Sequence, residues 1–334
     1  MVSRAAIVTG PTGQDGSYLC EFLLGKGYDV KCLIRRCTYP LASSNLKVKH
    51  DALKIYEGDV LDQPIINKMV NDCDKYDVVE IYNLAAQSHV GVSFNCPKYT
   101  FEANTLGILN ILESVRQHKT PEKFRVYQAS TSEMFGKVQE IPQKETTPFY
   151  PRSVYGVSKL AAHWLVKNYR ESYGIHASAG ILFNHESPRR GSDFVTKKII
   201  QSLKSIFSGE SEVLELGNLD AQRDWGHARD YIEAMWMMLQ QDVPDDYVVA
   251  TGKTYTVRNF VEMSLEKMGK SIRWEGSGDN EVGFVDDKPI VRVSKEFYRP
   301  CEVDLLVGDA EKIKNIGWVP KHDIHTLIDD MITN

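Results

Sequence analysis

The sequence predicts an α/β fold, in which a doubly wound parallel sheet is followed by a smaller, mixed α/β lobe. Apolar runs alternate with helix-like segments over residues 1–185, and three glycines separate the first run from the first helix-like segment. After residue 185 this alternation stops, and polar and turn residues become frequent. We therefore expect one domain over residues 1–185, with a return segment at about 221–252, and a second domain over residues 186–334.

Six apolar runs are the predicted strands of the sheet. Parallel strands are buried on both faces, so their sequences are nearly continuous apolar runs. The runs are AAIVTG, DVKCLIR, ALKIYEGD, VVEIYNLAA, KFRVYQAS and ASAGILFN, and the predicted helices cover 17–26, 63–73, 99–118, 153–173, 194–208, 230–241 and 257–268. In such a fold, ligands bind at the carboxyl ends of the strands.

Composition and charge limit the classes of function. The chain has 334 residues, 42% of them hydrophobic, and a net charge of −5, which gives no support for a nucleic-acid or membrane-surface partner. No run approaches the ~20 apolar residues of a membrane span. The first residues lead directly into a predicted strand, and the six cysteines show no C-x-x-C pair or zinc spacing. We therefore expect a cytoplasmic protein without a signal peptide or a metal site.

The first glycine-rich turn is a candidate phosphate site. Gly10, Gly13 and Gly16 follow a predicted strand and precede a helix, and each glycine within an element costs about 0.5–1 kcal/mol. A helix N-terminus after such a turn binds phosphate through free N–H groups. The spacing is one residue longer than the dinucleotide fingerprint G-x-G-x-x-G. A tight connection without a ligand is the alternative, and Asp15 would repel a pyrophosphate unless its carboxylate points away.

Two arginines after the second strand favour NADP over NAD. Arg35 lies 19 residues after Gly16, where NAD enzymes place an acidic residue, and an arginine there suits the 2′-phosphate of NADP. Arg36 follows directly. Asp59, after the third strand, is positioned to accept a hydrogen bond from an adenine amino group. Solvated loop side chains are the alternative interpretation of all three residues.

The segment SVYGVSK carries a candidate acid–base pair. Tyr155 and Lys159 are four residues apart, so they share one face of a helix. A tyrosine with a pKa near 10 is a poor catalyst at neutral pH, and a neighbouring ammonium lowers that pKa. The Y-x-x-x-K pattern is frequent by chance, but here it begins the helix after the fifth strand, in a chain with the glycine turn.

A hydroxyl-rich segment, QASTSEMFG, ends the fifth strand. Ser130, Thr131 and Ser132 offer hydroxyl groups to a substrate oxygen, and Glu133 offers a carboxylate. Simple alcohol oxidation does not need that carboxylate, so Glu133 indicates a second proton transfer. The alternative is a capping box, because Ser130 and Glu133 stand three residues apart.

These motifs, taken together, resemble one family. The segments TGPTGQDGSYL, NLAAQSHV, YQASTSEMFG, PRSVYGVSK, ILFNHESPRRG, RDWGHARDY and YRPCEVDLLVGD are similar to those of the GDP-mannose 4,6-dehydratase family. Its members are extended short-chain dehydrogenases/reductases with a Rossmann-type sheet. The resemblance extends from about residue 5 to residue 330. The glycine turn and Tyr-x-x-x-Lys mark the superfamily, whereas GQDGSYL, STSE and NHESPRRG are more specific to the dehydratases.

The resemblance implies a role for each matching residue. The implied catalytic residues are Thr131, Glu133, Tyr155 and Lys159. The implied NADP-binding residues are Gly10, Thr12, Gly13, Gln14, Asp15, Gly16, Arg35, Arg36, Asp59, Val60, Leu84, Ala85, Ala86, Gln87, Ser88, Tyr99, Lys159, His185 and Arg190. The implied residues for the nucleotide sugar are Ser88, Asn184, Lys198, Gly217, Arg223, Arg299 and Glu302.

The resemblance also implies a lyase reaction in deoxyhexose biosynthesis. Tyr155 takes the C4 hydroxyl proton of GDP-mannose while hydride leaves C4. Glu133 then removes the C5 proton and assists loss of the C6 hydroxyl as water, and hydride returns to C6. The expected product is GDP-4-keto-6-deoxymannose, and the expected assembly is a homodimer or homotetramer. The alternatives are a nucleotide-sugar 4-epimerase or reductase on the same fold, or a non-catalytic NADP-binding regulator.

Overall fold

The computed structural model describes residues 2–36, 41, 44–298 and 301–334. The strands in this part of the chain are β1 (Arg4–Thr9), β2 (Asp29–Ile34), β3 (Leu53–Glu57), β4 (Val78–Asn83), β5 (Phe124–Thr131), β6 (His176–Leu182), β7 (Asn184–Glu186), β8 (Leu214–Leu216), β9 (Gln222–Arg223), β10 (Trp225–His227), β11 (Asp246–Val249), β12 (Tyr255–Thr256), β13 (Arg273–Glu275), β14 (Val282–Val285) and β15 (Lys288–Val293). The α-helices are α1 (Gln14–Gly25), α2 (Gln63–Asn71), α3 (Val90–Asn95), α4 (Pro97–Phe101), α5 (Gly107–Arg116), α6 (Val154–Tyr173), α7 (Val195–Ser208), α8 (Ala228–Gln240), α9 (Val257–Lys267), α10 (Glu311–Asn315) and α11 (Ile324–Thr333).

A parallel sheet of seven described strands forms the larger layer. Its spatial order is β11, β6, β5, β4, β1, β2, β3, which is a doubly wound topology. The order confirms the predicted α/β class and all six predicted strands. The seventh strand, β11, pairs with β6 in parallel and comes from the predicted return segment. All the carboxyl ends therefore face one edge, where a cleft forms.

Two apolar cores cover the two faces of this sheet. On one face, α1 and α8 pack on the sheet through residues such as Leu19 and Met235. On the other face, α2, α5 and α6 pack through residues such as Met69, Leu112 and Val166. Burial on both faces explains why inner strands such as β1 and β6 are nearly continuously apolar, whereas the edge strand β3 buries only Tyr56.

The second lobe has its own core and lies over the carboxyl edge of the sheet. It holds a mixed sheet in the order β13, β14, β15, β8, and the core beside that sheet is built from α7, α9 and α11. Two short pairings, β7 with β10 and β9 with β12, lie next to the cleft. The domain boundary at residue 185 remains a prediction.

The helix predicted over 99–118 is not continuous. It consists of α4, a π-helical turn (Glu102–Leu106) and α5. Gly107 begins α5, and a Cβ there would come within 3.0 Å of Val60 Cγ2. The helix is therefore packed closely against the loop after β3.

No helix in the described part of the chain is long and apolar enough to cross a membrane.

Candidate active site

A large cleft lies between the carboxyl edge of the parallel sheet and the second lobe. Its volume is about 1230 Å³, which exceeds the usual ~300–1,000 Å³ of a site for one small ligand. Most of the predicted residues line it: Gly10, Thr12, Gly13, Gln14, Asp15, Gly16, Arg35, Asp59, Val60, Leu84, Ala85, Ala86, Ser88, Tyr99, Thr131, Glu133, Tyr155, Lys159, Asn184, His185, Arg190, Lys198, Gly217, Arg223 and Glu302.

Two predicted residues that the structure describes, Arg36 and Gln87, do not line the cleft. Arg299 lies outside the described residues. Arg36 is exposed at the end of β2 and is not part of the lining. The Gln87 side chain donates to His89 O (3.1 Å) and Thr100 Oγ1 (3.0 Å), so it fastens its own loop instead of facing the cleft.

The glycine turn has the geometry of a phosphate cradle. Helix α1 begins at Gln14 with Gly13 as its N-cap, and no side chain caps its first N–H groups. Gly10 has φ +70°, and a Cβ there would lie 3.0 Å from Ala85 N, so the turn and the loop after β4 approach closely. The free N–H groups and the helix dipole fit the pyrophosphate of a dinucleotide.

The adenosine end of the cleft contains Arg35, Tyr99 and Asp59. The Arg35 guanidinium donates to the Tyr99 hydroxyl, and its Cζ lies 5.8 Å from the ring centroid. Asp59 Oδ1 accepts from Leu61 N (3.0 Å), which shapes the turn after β3. A cationic group and a shaped polar turn therefore stand at adjacent strand ends, where the sequence predicted a 2′-phosphate and an adenine.

The Asp15 carboxylate beside the phosphate cradle is paired with a histidine. Its Oδ2 lies 2.8 Å from His185 Nε2, and Gln14 Nε2 donates to its Oδ1 (3.0 Å). Burial alone would raise the pKa of Asp15, but the His185 ring holds that pKa below its ordinary value. The carboxylate that would oppose pyrophosphate binding is thus already paired.

The predicted catalytic groups converge at the end of β5 and the start of α6. Ser153 caps α6 by accepting from Gly156 N (3.0 Å), so the helix begins just before Tyr155. Lys159 follows one turn later; its Nζ donates to Ala129 O (2.8 Å) and lies 6.0 Å from the Tyr155 ring centroid. Thr131 ends β5 beside Tyr155, with which it forms a hydrogen bond.

The pKa values of this pair differ from the sequence-based expectation. Burial raises the pKa of Tyr155 to about 12, against the hydrogen bond from Thr131, which lowers it. Burial likewise lowers the pKa of Lys159 to about 8. The pKa of Tyr155 is therefore raised overall and not lowered as expected, because loss of water outweighs the effect of an ammonium 6.0 Å from the ring.

The capping-box alternative for Ser130 and Glu133 is wrong. Thr131 caps the short 3₁₀ turn Ser132–Met134, because its Oγ1 accepts from Glu133 N (3.2 Å). Ser130 Oγ instead lies 3.1 Å from His163 Nδ1 on α6. The Glu133 side chain lines the cleft and is close enough to Tyr155 to raise the pKa of that phenol.

The opposite end of the cleft carries cationic and amide groups from the second lobe. Lys198 Nζ is buried 3.2 Å from the centroid of the Phe297 ring, and neither Nζ nor Asn184 Oδ1 has a hydrogen-bond partner among the described residues. Arg223 Nη2 donates to Glu302 Oε1 (3.1 Å). Buried polar atoms of this kind usually have a partner, so their orientation into the cleft indicates a polar ligand.

Several cleft residues were missed by sequence reasoning. His89, Phe94, Phe194 and Tyr298 line the cleft, and the His89 and Phe194 rings are in edge contact at 5.3 Å. These residues come from α3, the loop before α7 and the loop before the undescribed 299–300. The sequence gives little indication of these four residues, because a single aromatic side chain in an irregular segment cannot be distinguished from an ordinary packing residue.

The fold and the cleft together define an extended short-chain dehydrogenase/reductase. A UDP-glucose 4-epimerase from Thermus thermophilus, solved with NAD, has 25% identity and a TM-score of 0.77, covering 98% of both chains. A dTDP-glucose 4,6-dehydratase from Bacillus anthracis has the same fold, with a TM-score of 0.80 at 20% identity over 99% of this chain and 96% of its own.

The family model for GDP-mannose 4,6 dehydratase matches residues 7–331. The human GDP-mannose 4,6 dehydratase is 49% identical over 98% of this chain and 90% of its own length. The enzyme of Vibrio cholerae is 45% identical over 99% of this chain and 93% of its own length. The chain therefore belongs to the GDP-mannose 4,6-dehydratase family, and it is a lyase.

Proposed function

We propose that this protein dehydrates GDP-mannose to GDP-4-keto-6-deoxymannose, with NADP as a resident cofactor. The observation that carries the proposal is the carboxylate of Glu133, which lies in the same buried group as Tyr155 and Thr131. An alcohol oxidation needs the tyrosine but not a second proton acceptor. A dehydration needs both, because a C–H proton must leave before water does.

The cofactor fits the residues at the glycine turn and at the end of β2. The uncapped α1 N-terminus would hold the pyrophosphate, and Arg35, with Arg36 beside it, would hold the 2′-phosphate. When bound, the nicotinamide supplies a reversible hydride acceptor and a positive charge near the phenol. These features support NADP over NAD as the cofactor.

Each catalytic residue then has one task. Tyr155, as the phenolate, accepts the proton of the C4 hydroxyl, and Thr131 orients that phenol through their hydrogen bond. The Lys159 ammonium favours the phenolate electrostatically. Glu133 accepts the proton from C5, whose acidity is raised by the C4 ketone, and delivers a proton to the departing C6 hydroxyl. One water leaves, C5 takes up the proton held by Tyr155, directly or through solvent, and the carboxylate and phenolate are thereby regenerated.

The nucleotide end of the substrate would lie against the second lobe. Lys198 and Arg223 are the cationic groups there, and a diphosphate provides the negative charge that they match. Asn184 and Glu302 are candidates for polar contacts with the sugar nucleotide. Gly217 permits the Phe297 backbone to approach this end of the cleft closely, because a Cβ at position 217 would lie 2.6 Å from Phe297 O.

The protein also presents a surface suited to self-association, which supports the expected homodimer or homotetramer. Val157 and Trp164 on α6 are about half exposed, and Phe101 and Leu106 are exposed on the neighbouring helical segments. Large apolar side chains grouped on adjacent helices favour contact with a second copy. The five cysteines in the described part of the chain form no disulfide, which fits the proposed cytoplasmic location.

The direct test of the proposed function is product analysis by mass after incubation with GDP-mannose. Dehydration lowers the substrate mass by one water, with and without added NADPH. A product of unchanged mass would identify a 4-epimerase and contradict the proposal. Cofactor binding without turnover would identify a non-catalytic binding protein, and it would also contradict the proposal.

A further inference from the structure

The Asp15–His185 pair carries one proton more than an ordinary neutral histidine. His185 Nδ1 lies 2.7 Å from the carbonyl oxygen of Phe183, and its Nε2 lies 2.8 Å from Asp15 Oδ2. A carbonyl oxygen only accepts, so Nδ1 must hold a hydrogen. The second contact also needs a hydrogen, on either Nε2 or the carboxyl group. Of these two arrangements, the imidazolium with a carboxylate is the one that the lowered pKa of Asp15 and the raised pKa of His185 favour.

Two other histidine–aspartate pairs of the described chain need one proton fewer. His118 Nε2 lies 2.9 Å from Asp74, and His227 Nε2 lies 3.0 Å from Asp330. In both rings, Nδ1 accepts a backbone N–H, from Thr120 or Arg229. Those two rings are satisfied as neutral imidazoles, whereas His185 is satisfied only with both nitrogens protonated.

The pair belongs to a set of contacts that fastens the start of α1 to the segment after β6. Gln14 Nε2 donates to His185 O (3.1 Å), and Ser187 Oγ donates to Gln14 Oε1 (2.8 Å). Arg189 donates to Ser17 Oγ (3.1 Å) and to Glu21 Oε1 (2.8 Å). We call these contacts, together with Asp15–His185, the clasp. It joins the phosphate cradle to the residues that lead into the second lobe.

We propose that the clasp retains the dinucleotide between turnovers and that the shared proton of Asp15 and His185 is its charged fastening. This inference rests on the proposed function, in which the cofactor ends each cycle as it began and has no need to leave. Asp15 and His185 both line the cleft, so opening the clasp exposes the cradle. Both are positioning residues here, since the clasp acts on release and not on bond-making.

The charges around the pair determine the direction of its pH dependence. Arg190 is close enough to interact electrostatically with both Asp15 and His185. The Tyr231 ring of α8 stacks on the His185 ring at a centroid distance of 4.4 Å. The charge of Asp15 also acts on three nearby titratable groups, which are Lys159, Tyr155 and Tyr127.

Burial would lower the pKa of His185, but Asp15 raises it above the ordinary 6.5. The ion pair between Asp15 and His185 is thus fully present on the acidic side of pH 6.5, and it is lost as pH rises through the raised pKa of His185. It is also lost at acidic pH, below the ordinary 3.8 of Asp15, whose pKa is lowered.

The first test detects the proton itself in the unmodified protein. Nitrogen-15 spectra of the histidine rings, assigned with His185→Gln, should show both nitrogens of His185 protonated at neutral pH. His227, whose Nδ1 accepts a backbone N–H, should appear as a neutral ring in the same spectra. A neutral His185 ring at neutral pH would overturn the proposal, whatever the activity of the protein.

The second test measures retention of the cofactor. Protein loaded with NADP is diluted into a trap, and the release rate is followed by assay of bound dinucleotide. Asp15→Asn keeps the size of the side chain but removes its charge, so release should accelerate about tenfold or more, the effect of losing one hydrogen bond to a charged group. The matched control Asp74→Asn breaks a histidine pair outside the clasp and should release at the parent rate.

Release from the unmodified protein should also accelerate as pH rises through the raised pKa of His185, which tests the clasp without any substitution. Parent-like release from Asp15→Asn, or a pH-independent rate, would overturn the clasp even if GDP-mannose is dehydrated normally. Conversely, absence of dehydration together with accelerated release from Asp15→Asn would overturn the proposed function and leave the clasp standing.

Discussion

At Tyr155, burial and charge act in opposite directions on one proton. Burial raises the pKa of the phenol to about 12, and Glu133 acts in the same direction. Thr131 and Arg190 act against them, and the Lys159 ammonium lies 6.0 Å from the ring centroid. A phenol with a raised pKa gives a strongly basic phenolate, which can abstract a hydroxyl proton. Positive charge placed beside Tyr155 is needed to form that phenolate.

Tyr155→Phe should nearly abolish turnover. The variant keeps the ring and its packing and loses only the proton acceptor. General acid–base groups typically contribute about 10²–10⁴-fold, so kcat should fall by that factor while NADP binding stays near the parent value. Steady-state kinetics and cofactor titration measure the two quantities. Turnover within a few-fold of the parent would show that Tyr155 is only a packing residue.

The double change Arg35→Ser with Arg36→Ser should weaken NADP binding more than NAD binding. A hydrogen bond to a charged group contributes about 1.5–3 kcal/mol, so the preference should change about tenfold or more. Titration of each cofactor into the parent and the variant gives the ratio. Equal affinity of the unmodified protein for the two cofactors would rule out the predicted 2′-phosphate site.

Among the elements, those with local signals were predicted best. The α6 helix begins where Ser153 predicts it, and the four-residue spacing does place Tyr155 and Lys159 together. The π turn between α4 and α5 has no local signal in the sequence, and Gly107, which follows it, packs against Val60, 47 residues earlier in the chain. The Asp15–His185 contact joins residues 170 positions apart, so no local pattern could indicate it.

The junction of the second lobe depends on one buried carboxylate. Asp224 accepts from Thr251 N (2.9 Å), Thr251 Oγ1 (2.6 Å), Gly252 N (2.8 Å) and Gly308 N (3.3 Å). It lies next to Arg223, and it thereby gathers three separate segments behind the nucleotide end of the cleft.

Asp224→Asn should lower the free energy of unfolding by about 2–3 kcal/mol, because the amide nitrogen cannot accept and leaves buried N–H groups without a partner. Urea denaturation monitored by circular dichroism measures the change. Asp220→Asn is the control, since that exposed side chain forms a surface pair with Arg258 and should cost about 0–1 kcal/mol. Equal losses in the two variants would show that Asp224 does not organise the junction.

For the whole molecule, the exposed apolar side chains on α6 and its neighbours predict the state of association. Trp164→Lys places a charge in the centre of that surface, which opposes burial against a second copy. Light scattering after size-exclusion chromatography should show a dimer or tetramer for the parent and a smaller species for the variant. An unchanged mass would place the interface elsewhere.

The central claim, a dehydration between two hydride transfers on one sugar, is tested most directly by following the C4 hydrogen. GDP-mannose carrying deuterium at C4 should give product with deuterium at C6, and a reaction in heavy water should place solvent deuterium at C5 and not at C6. Glu133→Gln cannot accept the C5 proton, so it should form some reduced cofactor and release no dehydrated product. Loss of the C4 deuterium to bulk water, or full dehydration by Glu133→Gln, would contradict the account.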